Sequence, residues 1–192
     1  MIVGAYPGTF NPPTVAHLAI AEAARRQGGL DRLDLVLSRV PLGKDLAAPT
    51  LEDRVEVLEA VARTRPWLGV RVTDLQLIVE VAAGYDAVVL GADKWLQVID
   101  PGWYDGSVEA RDDALRRLPR LLLVARPPHA VAGALPADAV LLDLGPDAEG
   151  VSSSAARAGR HEWVAPEVAT SGKWSHWWPD GDGRPDGDGR PD

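Results

Sequence analysis

Four short stretches of this chain are apolar almost without a break: LDLVLS at Leu33–Ser38, AVVLG at Ala87–Gly91, RLLLVA at Arg120–Ala125 and AVLLDL at Ala139–Leu144. A strand with one face in water alternates polar and apolar side chains, so unbroken runs of this length belong to a sheet covered on both faces. Ile2–Tyr6 and Val70–Thr73 read as two further strands. Longer segments with helical spacing separate them. This alternation is the signature of an α/β domain, here a doubly wound, Rossmann-like parallel sheet with expected strand order 3-2-1-4-5(-6).

The expected helices follow from their punctuation. The first runs from Val15 to Gln27, is ended by Gly28-Gly29, and carries alanine at 16, 19, 21, 23 and 24, so it can lie close to the sheet. Thr50 begins the second as N-cap, with Asp53 as its capping partner, and Arg65-Pro66 closes it. Helical patterns also cover Leu75–Ala83, Lys94–Ile99 and Ser107–Leu118, and short helices should start at the serine run 152–154 and near Pro166. Together these make one domain over residues 1–178. The remainder, 179–192, reads PDGDGRPDGDGRPD; with no apolar residue to offset its ordering entropy, it is expected to be a disordered acidic tail.

Bulk properties narrow the function. Of 192 residues none is cysteine, so disulfides and thiolate metal sites are excluded, and the four histidines show no helical metal spacing. No metal held by the protein is expected. Net charge is −8, still acidic once the tail is set aside, which argues against a nucleic-acid partner but not against one nucleotide held by local donors. No apolar run approaches the roughly 20 residues that cross a bilayer. No leader pattern opens the chain, so no membrane and a cytoplasmic location are expected.

In an open α/β sheet, ligands bind beyond the carboxyl ends of strands where the strand order reverses, between strands one and four in this order. The unusual residues fall there. Strand one leads into PGTFNPPTVAH and strand four into GADKW. Neither a dinucleotide fingerprint nor a P-loop is present. Instead Gly8-Thr9-Phe10 can bring backbone N–H groups near a ligand and Pro12-Pro13 stiffens the helix entry. Thr14 is the natural N-cap, with His17 three residues on sharing its face. Both side chains are expected to point out of a helix start, a ready anion site.

These residues resemble the HxGH-type nucleotidyltransferases, most closely the nicotinate or nicotinamide mononucleotide adenylyltransferases. The first signature of that family, G-x-F-D-P-x-H-x-G-H, aligns with Gly8 to His17, and the second, I-S-S-T-x-x-R, with Val151 to Arg157. The resemblance implies transfer of AMP from ATP to a small phosphorylated acceptor, with Mg2+ carried on the ATP phosphates. It implies that His17 holds the α-phosphate with Thr14 assisting, and that Ser152, Ser153 and Arg157 hold the β- and γ-phosphates. Gly8, Thr9 and Phe10 would form the nucleotide turn. Asp93 would meet the ribose hydroxyls, Trp103 and Tyr104 the acceptor ring, Lys44 a phosphate, and Arg126, at the end of strand five, the nucleotide. Trp95 reads as core. His129, His161 and His176 read as solvated or packing residues, and Trp174, Trp177 and Trp178 as packing on the body or an oligomer contact.

The chain departs from the first signature at Thr14, Ala16 and Asn11, where the family has His, Gly and Asp. Thr14 and the serine run also resemble the phosphopantetheine branch. A different acceptor, a CTP donor, or a nucleotide-binding homologue without catalysis therefore stand as alternatives.

Overall fold

The computed structural model describes residues 1–40, 49–125, 131, 133–145, 148 and 150–171. Lys44, Arg126, His129, the tryptophans at 174, 177 and 178, His176 and the tail lie outside the described residues.

Six strands pair side by side: β1 (Val3–Pro7), β2 (Arg32–Ser38), β3 (Leu68–Thr73), β4 (Ala87–Gly91), β5 (Arg120–Val124) and β6 (Val140–Leu141), in the order β3-β2-β1-β4-β5-β6. Every pairing is parallel, as the unbroken apolar runs require. The expected order holds. β6, at the sheet's edge, is shorter than its apolar run: only Val140 and Leu141 pair with β5.

Successive side chains of a strand go to opposite faces, and the core divides accordingly. Leu33, Leu35 and Leu37 of β2 pack with α1 (Val15–Gly28) and α2 (Leu51–Arg63) on one face. Val88 and Leu90 of β4 and Leu121 and Leu123 of β5 pack on the other with Trp95 and Val98 of α4 (Ala92–Ile99); α5 (Val108–Arg117) adds Leu115 to that layer. Trp95 is 1% exposed and belongs to this core, as read from sequence. The alanines of α1 let it approach the sheet: Ala16, Ala21, Ala23 and Ala24 are all buried.

Thr50 caps α2, accepting from the Asp53 N–H at 3.1 Å while the Asp53 carboxylate accepts from Thr50. The expected helix over 75–83 shrinks to α3 (Ile78–Val81), four residues that cover Ala5 and Val36. The segment before it is held in a turn, the Leu75 N–H donating to Thr73 Oγ1 at 3.2 Å, and Leu75 stays 45% exposed instead of joining a helix face. Two short helices come last among the described residues, α6 (Ser153–Arg157) and α7 (Pro166–Thr170). The latter is tied to the end of α2 by Arg65 and Glu167, whose Nη1 and Oε1 lie 2.5 Å apart. Among the described residues no helix is long and apolar enough to cross a membrane.

Candidate functional site

β1 ends at Pro7, and the chain turns sharply through Gly8, Thr9 and Phe10 before entering α1. The glycine is required by its neighbour: a Cβ at position 8 would lie 2.8 Å from the Phe10 ring. Phe10 takes φ 47°, a left-handed conformation unusual outside glycine, and is held in it by burial to 1% exposure. Its ring meets Tyr6 and His17 edge-on, with centroids at 5.4 and 5.2 Å. The amide of Gly8 donates to the Val36 carbonyl at 3.0 Å, so it continues the sheet rather than serving a ligand as its sequence position suggested.

Thr14 is the N-cap of α1, but it does not point outward. It is fully buried, and its hydroxyl lies 2.8 Å from His17 Nδ1, into which its own backbone N–H also donates at 3.0 Å. A backbone N–H can only donate, so Nδ1 is an acceptor and the ring's hydrogen sits on Nε2. Thr14 is thereby corrected from an outward anion donor to the residue that sets the tautomer and angle of the half-buried His17.

The second motif docks on this turn. Ser152 caps α6 by accepting from the Ala155 N–H at 3.1 Å. Ser153 donates its hydroxyl to the Pro12 carbonyl at 2.8 Å, and Arg157 donates through Nη1 to the Asn11 carbonyl and through Nη2 to Ser154 at 3.2 Å. Two motifs about 140 residues apart in sequence thus meet at one seam. The Ser153 hydroxyl hydrogen is engaged in holding that seam. This differs from the expectation that it faces phosphate.

On the other side of the turn lies a pocket open to solvent. Gly8 and Thr9 form one wall, Lys94 and Gln97 of α4 another, and Trp103 and Tyr104, in a 3-10 turn at Pro101–Tyr104, a third. The Tyr104 hydroxyl donates to the Val98 carbonyl at 3.1 Å; burial pushes its pKa up, opposed by Arg111 and Arg117. Asp93 is exposed in the first turn of α4, just past β4, and does not line this pocket.

Three polar residues escaped the sequence reading. Lys94, whose ammonium donates to Gln97 Oε1 at 2.7 Å, and Gln97 itself carry no signal beyond following Gly91-Ala92-Asp93. Arg54 did carry one: it occupies the buried stripe of α2 with Val57, Leu58 and Val61, where an apolar residue is expected. Among the described residues, no group of three or more His, Cys, Asp or Glu could hold a metal.

Residues 5–159 match the profile of the family described as cytidylyltransferase-like. The chain is 30% identical over 169 residues to a probable nicotinate-nucleotide adenylyltransferase of Anaeromyxobacter dehalogenans, covering 79% of each. A probable nicotinate-nucleotide adenylyltransferase of Listeria innocua is 39% identical over 64 residues, and there the match spans about a third of the relative, 34% of its length. The nicotinic acid mononucleotide adenylyltransferase of Plasmodium falciparum complexed with APC shares the fold at a TM-score of 0.65. That likeness covers 90% of this chain and 95% of that one at 12% identity.

Proposed function

The chain belongs to the cytidylyltransferase-like family, and from that premise we propose that it transfers the adenylyl group of ATP to nicotinate or nicotinamide mononucleotide, releasing pyrophosphate. One observation carries the reading: the seam at which Ser153 and Arg157 bond to the carbonyls of Pro12 and Asn11, next in the chain to Phe10, whose ring packs on His17. A triphosphate lying along that seam would meet donors from both helix starts.

In the reaction, a phosphate oxygen of the acceptor attacks the α-phosphorus of ATP in line. A new P–O bond forms, the bond to the β-phosphate bridge breaks, and pyrophosphate departs. Such a displacement needs alignment and charge stabilisation rather than a protein nucleophile. His17 offers its Nε2 hydrogen to the α-phosphate. Arg157 and Ser152 hold the outer phosphates, Thr9 and Phe10 border the nucleotide, and Asp93 receives the ribose hydroxyls. Lys44 adds a cationic contact to phosphate, Arg126 contributes to nucleotide binding, and Trp103 and Tyr104 flank the acceptor's ring. Magnesium travels on the phosphates and neutralises part of their charge. The location consistent with this chemistry is the cytoplasm.

The test is a panel of nicotinate mononucleotide, nicotinamide mononucleotide and pantetheine phosphate against ATP and CTP, read by pyrophosphate release. Turnover with ATP and a pyridine mononucleotide is expected, and His17→Ala should lower it by roughly 10²–10⁴-fold. Turnover confined to pantetheine phosphate or CTP moves the chain to a sister activity. ATP binding with no turnover for any acceptor makes it a nucleotide-binding homologue, the outcome to which the changes at Thr14, Ala16 and Asn11 would then point.

A further inference from the structure

A cation buried without an anion is costly in a protein interior, and such groups are normally paired. Arg54 breaks that rule. It is 4% exposed, sits in the apolar stripe of α2, and forms no ion pair among the described residues. Among the described residues its Nε has no hydrogen-bond partner, and Nη1 donates only to the Thr9 carbonyl at 3.2 Å. Burial lowers its pKa, although a guanidinium stays charged at any physiological pH. An apolar residue at position 54 would complete the stripe and remove this cost.

The one group Arg54 holds lies in the nucleotide turn. A carbonyl oxygen turned toward a phosphate would repel it. Arg54 draws the Thr9 carbonyl to itself, and in a trans peptide the N–H of the next residue points the opposite way. Fixing Thr9 O therefore also fixes the direction of the Phe10 N–H. The guanidinium charge, shielded from water, acts at longer range than a surface lysine would.

We propose that Arg54 is a positioning residue for phosphate: from behind the Pro7–Phe10 turn it orients the Thr9–Phe10 peptide and supplies a buried positive charge that a phosphate group bound at the turn neutralises. This rests on the reading that phosphates bind at that turn. The phosphate belongs either to ATP or to the acceptor, and the two are separable by titration.

The experiment compares wild type, Arg54→Met and Arg54→Lys by thermal unfolding without ligand. The same three proteins are titrated calorimetrically with a magnesium complex of a non-hydrolysable ATP analogue and, separately, with nicotinate mononucleotide. The methionine variant should unfold at the same or a higher temperature than wild type, since it completes the apolar stripe. It should bind one of the two ligands about tenfold or more weakly, and the ligand affected identifies whose phosphate is served. The lysine variant, which keeps the charge, should recover part of that affinity. Unchanged binding of both ligands by Arg54→Met overturns the proposal while leaving the proposed activity intact. So does a loss of thermal stability with lysine no better than methionine, which would make Arg54 a packing prop. Failure of wild type to bind either ligand overturns both readings.

Discussion

Replacing Thr14 with valine separates two roles that the sequence alone confounds. If the hydroxyl met the reacting phosphate, its loss would remove a transition-state donor and cost about 10²–10³-fold in turnover. The geometry gives a different figure. Thr14 has no exposed surface, and its hydroxyl reaches His17 Nδ1 at 2.8 Å. Valine has nearly the same shape, and the backbone N–H still donates to Nδ1 at 3.0 Å. What is lost is one hydrogen bond orienting an imidazole, worth about 1 kcal/mol, or about fivefold in kcat/KM. Steady-state pyrophosphate release measures it, with Thr14→Ser as the variant that keeps the hydroxyl and should stay near wild type. A hundredfold loss for Thr14→Val in a protein of unchanged thermal stability would refute the positioning role and restore direct contact.

The same assay and simple unfolding experiments check the rest. Gly8→Ala places a methyl group 2.8 Å from the Phe10 ring, which in turn packs on His17, so it should destabilise by about 1–3 kcal/mol and lower turnover together. Stability measured with turnover unaffected would show that the ring moves without disturbing His17. Trp103→Ala removes a wall of the pocket and should raise the KM for nicotinate mononucleotide about 3–10-fold with the KM for ATP unchanged. An equal rise for both would remove Trp103 from the acceptor site. Burial works to raise the Glu167 pKa, but bonds from Arg65, the backbone and Thr64 outweigh it, and the net shift is downward. Its stabilisation is thus present above the unfolded value near 4.3 and lost as pH falls through the lower folded value. Glu167→Gln should cost about 1–3 kcal/mol at pH 7, and the difference from wild type should shrink as the pH falls below the unfolded value and vanish once it lies below the folded one. A difference that persists there would mean that packing, not charge, joins α7 to α2.

What the sequence made legible is what local chemistry fixes. Unbroken apolar runs demand a sheet covered on both faces, so the parallel strands were readable, as were the start of α1 at Thr14 and the capping of α2 by Thr50 and Asp53; the strand order matches the one commonest for such sheets and is not written in the runs themselves. Types and boundaries failed where neighbours decide. β6 pairs with β5 over only two residues of its apolar run, and α3 starts late because Leu75 is tied into a turn by the Thr73 hydroxyl. Residue type also named Thr14, Ser153 and Gly8 as polar or flexible groups in the right region without saying where each bond would go. Only the folded chain turned the Thr14 hydroxyl onto His17, the Ser153 hydroxyl onto Pro12, and the Gly8 amide onto Val36. Arg54 shows the same limit from the other side, since its meaning depends on Thr9, 45 residues earlier in the chain. Hydrophobic periodicity is a property of neighbouring residues and survives in the sequence. A hydrogen bond's direction depends on atoms brought together by the whole fold, and that information exists only once the chain has closed around them.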